Sequence, residues 1–116
     1  MQVQLNTDHN VVGTTGLAEH VQDQVSHALS KYADRITRVE VHLNDTNSAK
    51  EVGDDKRCLI EVRVASHPPV TVSHEAPSIG QALDGAVHKA ERAVGKVFGK
   101  WEAHRHDPAP DVTDVA

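Results

Sequence analysis

Aromatic side chains are almost missing from this chain, with one Trp, one Tyr and one Phe among 116 residues. A core without them must come from Val, Leu, Ile and Ala, so each buried aliphatic weighs in a modest total stability. A single cysteine, Cys58, excludes an intramolecular disulfide and agrees with a reducing compartment. No stretch nears the roughly 18 apolar residues of a membrane span. The opening Met1-Gln2-Val3-Gln4-Leu5 has neither the basic nor the apolar region of an export signal, so the expected location is cytoplasmic. Gly-rich phosphate loops, a nucleophile elbow and paired-carboxylate signatures are also missing. We therefore expect no enzyme, no cofactor and no small-molecule substrate.

A basic balance is missing too. Twelve Lys and Arg stand against 17 Asp and Glu, for a formal charge of −5. That excludes a general nucleic-acid coat but not a local basic patch, because phosphate contacts depend on where charges sit. What the chain has in unusual number is histidine, nine in all. Histidine titrates near pH 6.5 in general, so mild acid would bring the net charge towards a change of sign.

Hydrophobic periodicity divides the chain into six elements. Val3 and Leu5 alternate with polar neighbours, as in a short half-buried strand. Thr14 or Thr15 can cap a helix running from about Thr15 to Ala33, whose stripe is Leu17, Val21, Val25, Ala28 and Tyr32. Val39, Val41 and Leu43 mark a second strand, and the polar run Asn44 to Lys56 a long hairpin connection. Cys58, Ile60, Val62 and Val64 mark a third strand, which makes Cys58 a buried structural thiol rather than a nucleophile. Pro68-Pro69 forces a turn, and Val70 and Val72 open a fourth strand.

Ser78 and Gln81 have capping-box spacing before the longest periodic run, Ile79, Ala82, Leu83, Ala86, Val87, Ala90, Val94, Val97 and Trp101. That run predicts a second helix to about Ala103. The fold class is thus α+β, a βαβββα two-layer sandwich with a four-stranded mixed sheet and both helices on one face. One domain spans residues 1–106, and residues 107–116 form an acidic tail expected to be disordered.

The second helix carries the functional signal. His88, Arg92, Lys96 and Lys100 follow i, i+4 spacing with Lys89 beside them, all opposite the apolar stripe. Charge patterning alone favours a solvated face. Gly85, Gly95 and Gly99 fall on the same outward side, which either lets a bulky partner approach the backbone or reflects drift on a wet surface.

The span Val3 to about Arg105 resembles the ribosome hibernation-promoting factor family, also described as ribosome-associated inhibitors or sigma-54 modulation proteins. The resemblance is carried by Leu83-Asp84-Gly85-Ala86-Val87-His88-Lys89-Ala90-Glu91-Arg92 followed by Lys96 and Lys100. Glu19-His20-Val21, Lys31-Tyr32 and Val39-Glu40-Val41 support it. It implies a domain seated on the small ribosomal subunit that overlaps the tRNA and mRNA positions and silences translation under stress or in stationary phase. The implied rRNA contacts are Lys89, Arg92, Lys96, Lys100 and His88 on the second helix, and Lys31 and His27 on the first, through charge-assisted bonds to phosphates. Where the family usually adds Arg and Lys to the first helix, this chain has Ala18, Gln24 and His27, with Glu19 and Asp23 nearby. The chain matches the short type, without the domain long members use to pair ribosomes. Charging His20, His27 and His88 in mild acid would supply some of the missing cations.

Two other classes compete with this one. A metal site would rest on His104-Arg105-His106-Asp107, whose spacing is not that of structural zinc, so none is expected. A protein-interaction module that keeps the fold but no longer binds ribosomes is the alternative, favoured by the acidic balance and opposed by the lysines of the second helix.

Overall fold

The computed structural model describes residues 1–8, 11, 13–45 and 56–106, with side chains described as far as residue 99. The expected tail at 107–116 and most of the connection after the second strand lie outside the described residues. So do the side chains of Lys100, Trp101 and the His104-Arg105-His106 run. In chain order the elements are β1 (Gln2–Thr7), α1 (Thr15–Ala28), a 3-10 segment (Ser30–Arg35), β2 (Ile36–Asp45), β3 (Lys56–Val64), β4 (Val70–Ala76) and α2 (Ile79–His106).

The sheet runs β1-β2-β3-β4 in space. β1 pairs with β2 in parallel, and the two remaining pairings are antiparallel. The α+β expectation and its strand order therefore hold. Alternation along each strand decides which face is dry. Val39, Val41 and Leu43 of β2 and Cys58, Ile60 and Val62 of β3 are fully buried on the helix side. Gln4, Glu40 and Glu61 share the opposite, wetter side through their register. α1 brings Val21, Val25 and Leu29 to the core; α2 brings Leu83, Ala86, Ala90 and Val94. Fully burying a side chain of the Val, Leu or Ile type stabilises by about 1.5–3 kcal/mol, which is how a nearly aromatic-free core suffices. The Cys58 thiol lies among these groups, and burial pushes its pKa from 9.0 up to about 12. It is a packing residue with no thiolate character near neutral pH.

Helix ends follow their local chemistry. Thr14 is the N-cap of α1, its hydroxyl accepting from Leu17 N–H at 3.0 Å. Ser78 Oγ accepts from Gln81 N–H at 3.1 Å, so the front half of the capping box forms. The Gln81 side chain returns to the Ser78 hydroxyl at 3.2 Å instead of its amide.

Three expectations need correction. The first helix does not run to Ala33; α1 ends at Ala28 and the chain tightens into the 3-10 segment. Tyr32 N–H then bonds Leu29 carbonyl at 3.0 Å, a three-residue closure that satisfies a helix-end acceptor. Second, the apolar stripe of α2 includes Phe98, buried to 8% exposure, while Val97 is only half-buried. Tyr32 lies against Phe98, and that contact between distant elements outweighs the i+3 spacing from Val94.

Third, the glycines do not share one open face. A Cβ on Gly85 would collide with the imidazole of His74 on β4. A Cβ on Gly95 would meet Tyr32 Oη at 3.2 Å, and only Gly99 faces open space. Gly85 is needed because His74 stands on the helix side of the sheet, opposite Cys58 in register. Any side chain at position 85 would have to displace that ring.

Candidate nucleic-acid interface

α1 and α2 lie side by side and run parallel. Gln24 Nε2 donates to Asp84 Oδ1 at 2.6 Å near the start of the shared stretch, and Tyr32 stacks on Phe98 further along. At about 3.6 residues per turn, the α2 positions opposite its buried stripe centre on His88 and Arg92, with Lys96 turned towards β4. His88, Lys89, Arg92 and Lys96 are all exposed.

These cations differ in their surroundings. Lys89 Nζ donates to the Ser73 carbonyl at 2.9 Å, so it leans over the outer edge of β4. Arg92 and Lys96 make no ion pair with any described residue. Glu91 is the exposed acid between Lys89 and Arg92 in sequence, and Asp84 is held by Gln24. Lys100 belongs to the same i, i+4 row, but its side chain lies outside the described residues.

From the first helix the structure brings His20 and His27, both exposed on α1. Lys31, expected on that helix, stands instead in the 3-10 segment with Nζ 5.9 Å from the Tyr32 ring centre. Ala18, Glu19 and Asp23 are exposed, and α1 itself contains no Lys or Arg, so it presents no permanent positive charge on this surface. The sequence reading missed Arg35, whose guanidinium carbon lies 5.8 Å from the Phe98 ring centre. The available signal was the three-residue step from Tyr32, legible only once the segment is known to be 3-10.

The opposite face of the sheet is also charged, and two of its cations are matched. Arg38 Nε lies 3.1 Å from Glu40 and Arg63 3.4 Å from Glu61, while the exposed Arg57 has no ion pair among the described residues. Lys56, at the end of β3 with the helix-side parity, lies 3.5 Å from Asp45. Among the described residues no three His, Cys, Asp or Glu side chains converge as a metal site would require. No described helix is long and apolar enough to cross a membrane.

Fold and surface together define a βαβββα domain whose second helix carries an exposed row of cations. The chain belongs to the family described as Sigma 54 modulation protein / S30EA ribosomal protein, whose model matches residues 6–102. It is a family of ribosome-associated modulation factors and is not enzymatic. Among solved structures, the Thermus thermophilus Protein Y N-terminal domain is similar with a TM-score of 0.67 at 22% identity, over 84% of this chain and 99% of that one. A ribosomal subunit interface protein from Coxiella burnetii is similar with a TM-score of 0.69 at 16% identity, over 85% of this chain and 99% of that one. At these identities the likeness is one of fold. No curated protein matches the sequence.

Proposed function

We propose that this protein is a cytoplasmic, ribosome-associated translation inhibitor that docks the outer face of α2 on small-subunit rRNA and occludes the tRNA and mRNA positions under stress or in stationary phase. One observation carries the reading: Arg92 and Lys96 stand in one exposed row without an ion-pair partner among the described residues, while on the wet face of the sheet Arg38 and Arg63 are matched to carboxylates and only Arg57 is not. An unmatched cation releases phosphate counterions when it binds; a matched one must first give up its carboxylate. Arg92 and Lys96 are the principal contacts, Lys100 extends the row, and Lys89, His88, Lys31 and His27 flank it. The mechanism is steric, with phosphate contacts fixing position.

Protonation of His20, His27 and His88 would add charge to this surface, against the acids Glu19, Asp23, Asp84 and Glu91 on the same two helices. Equal affinity at pH 6 and pH 7.5, at fixed salt, would remove that contribution. The alternative, an interaction module that no longer binds ribosomes, is favoured by one feature, the neutral Gln24 tied to Asp84 on an α1 without Lys or Arg.

Co-sedimentation with small subunits, empty or loaded with mRNA and tRNA, separates the two. Occlusion predicts strong binding to empty subunits and weak binding to loaded ones. Equal binding to both would refute occlusion, and binding to neither would favour the interaction module.

A further inference from the structure

Arg92 and Lys96 have no ion-pair partner among the described residues, yet the chain carries carboxylates close by in sequence. Residues 107–116 contain Asp107, Asp111 and Asp114 and no Lys, Arg or His. They follow directly on α2, which ends at His106. Asp107 stands before Pro108, and the residue before a proline is disfavoured in α geometry. The helix therefore stops at the boundary between the cationic row and the acidic stretch. Pro108-Ala109-Pro110 then favours extended polyproline geometry, which carries the following residues away from the helix end.

Reach decides which cations these carboxylates can meet. A rise of about 1.5 Å per helical residue puts Lys96 about 15 Å and Arg92 about 21 Å back from His106. An extended chain covers about 3.1–3.3 Å per residue, so Asp111 reaches about 16 Å from His106 and Asp114 about 25 Å. Folded back along α2, the stretch sets Asp111 level with Lys96 and Asp114 level with Arg92. The helix surface on the way is open, since a Cβ on Gly99 meets nothing within 4 Å.

We propose that residues 107–116 dock on the outer face of α2 when no RNA is bound, Asp111 and Asp114 pairing with Lys96 and Arg92 and competing with RNA for them. This rests on the rRNA reading of α2 and adds its regulation. Exposed ion pairs are individually weak, and the short tether compensates by keeping the carboxylates at high effective concentration. A polynucleotide with a continuous row of phosphates displaces two tethered carboxylates; an isolated anion competes poorly. The acidic stretch thus sets a threshold that only a multivalent anion passes.

The contact is tested first without ribosomes, by a nitroxide on V112C in the 116-residue chain. Cys58 does not compete for the label, because burial pushes its thiol up to about 12. At low salt the label should broaden the amides of His88, Arg92 and Lys96 more than those of the 3-10 segment, which flanks the other side of α2. High salt or D111N/D114N should remove the difference. Equal broadening on both sides, or none beyond the last helical turn, overturns the contact. Broadening seen only between a spin-labelled copy and an isotope-labelled one assigns the stretch to a second copy and overturns docking within one chain. Competition is tested by small-subunit affinity: D111N/D114N should gain about three- to tenfold near 0.1 M salt, and the gain should vanish as salt rises. D34N/E75Q, an equal change in charge at exposed positions off α2, should alter affinity less than about twofold. Equal gains from both variants, or none from D111N/D114N, overturn the competition and leave the rRNA reading standing. Broadening as expected, with no subunit binding by wild type or D111N/D114N even at low salt, overturns the rRNA reading and the competition with it.

Discussion

The two outer surfaces of this domain carry the same kinds of charge in different arrangements. On the wet face of the sheet, Arg38 lies 3.1 Å from Glu40 and Arg63 3.4 Å from Glu61. Register also sets Arg38 beside Arg63 and Glu40 beside Glu61, so the attraction runs along each strand and the repulsion across. On α2 the exposed cations step along one face every fourth residue, and the nearest acids are elsewhere occupied or alternate with them. The sheet face pairs all its described cations but Arg57 within itself. The α2 face leaves Arg92 and Lys96 unmatched in one row, and the proposed rRNA contact rests on that row. Net charge argues against a general nucleic-acid coat, and the proposed contact rests on where the cations sit instead.

Charge reversal is the strongest way to break this comparison. R92E/K96E should lower small-subunit affinity roughly a hundredfold near 0.1 M salt. R57E/R63E, an equal change in charge on exposed positions of the sheet face, should alter it less than about twofold. Comparable losses from both variants would mean that net charge, not placement, governs binding.

A second way is to find where the binding face ends. Gly85→Ala should destabilise the fold by about 1–3 kcal/mol in urea unfolding, because its Cβ collides with His74, yet leave the affinity of folded protein unchanged. In a His74→Ala background the same change should become stabilising by about 0.5–1 kcal/mol, the usual helix preference for Ala over Gly. A large affinity loss from a fully folded G85A would place the RNA at Gly85 after all.

Smaller effects sharpen the boundary. Lys89→Gln removes a bond to the Ser73 carbonyl and should cost about 0.5–1 kcal/mol of stability, with a smaller affinity loss than Arg92→Gln. Arg63→Gln breaks an exposed pair and should shift stability by at most about 0.5 kcal/mol, with no change in binding.

Much of the fold was legible because its period is unambiguous. Alternation in Val39-Glu40-Val41 and Ile60-Glu61-Val62 reads as a one-sided sheet, and Thr14 and Ser78 cap the helices by composition. Contacts between distant elements were not legible. Phe98 is inside because Tyr32 waits for it across the helix pair, and Gly85 is glycine because of a histidine eleven residues earlier on β4. The candidate row Arg92 and Lys96 could be read from spacing. Lys31 and Arg35 could not be placed, because their geometry depends on a switch from α to 3-10 winding that no period in the sequence announces.

The most direct measurement is wild-type affinity for purified small subunits as a function of salt, beside R92Q/K96Q. The account predicts a linear fall of log affinity with log salt, and a slope lowered by about 1.4–1.8 in the variant. A salt-independent affinity, or a variant with the wild-type slope, would contradict it.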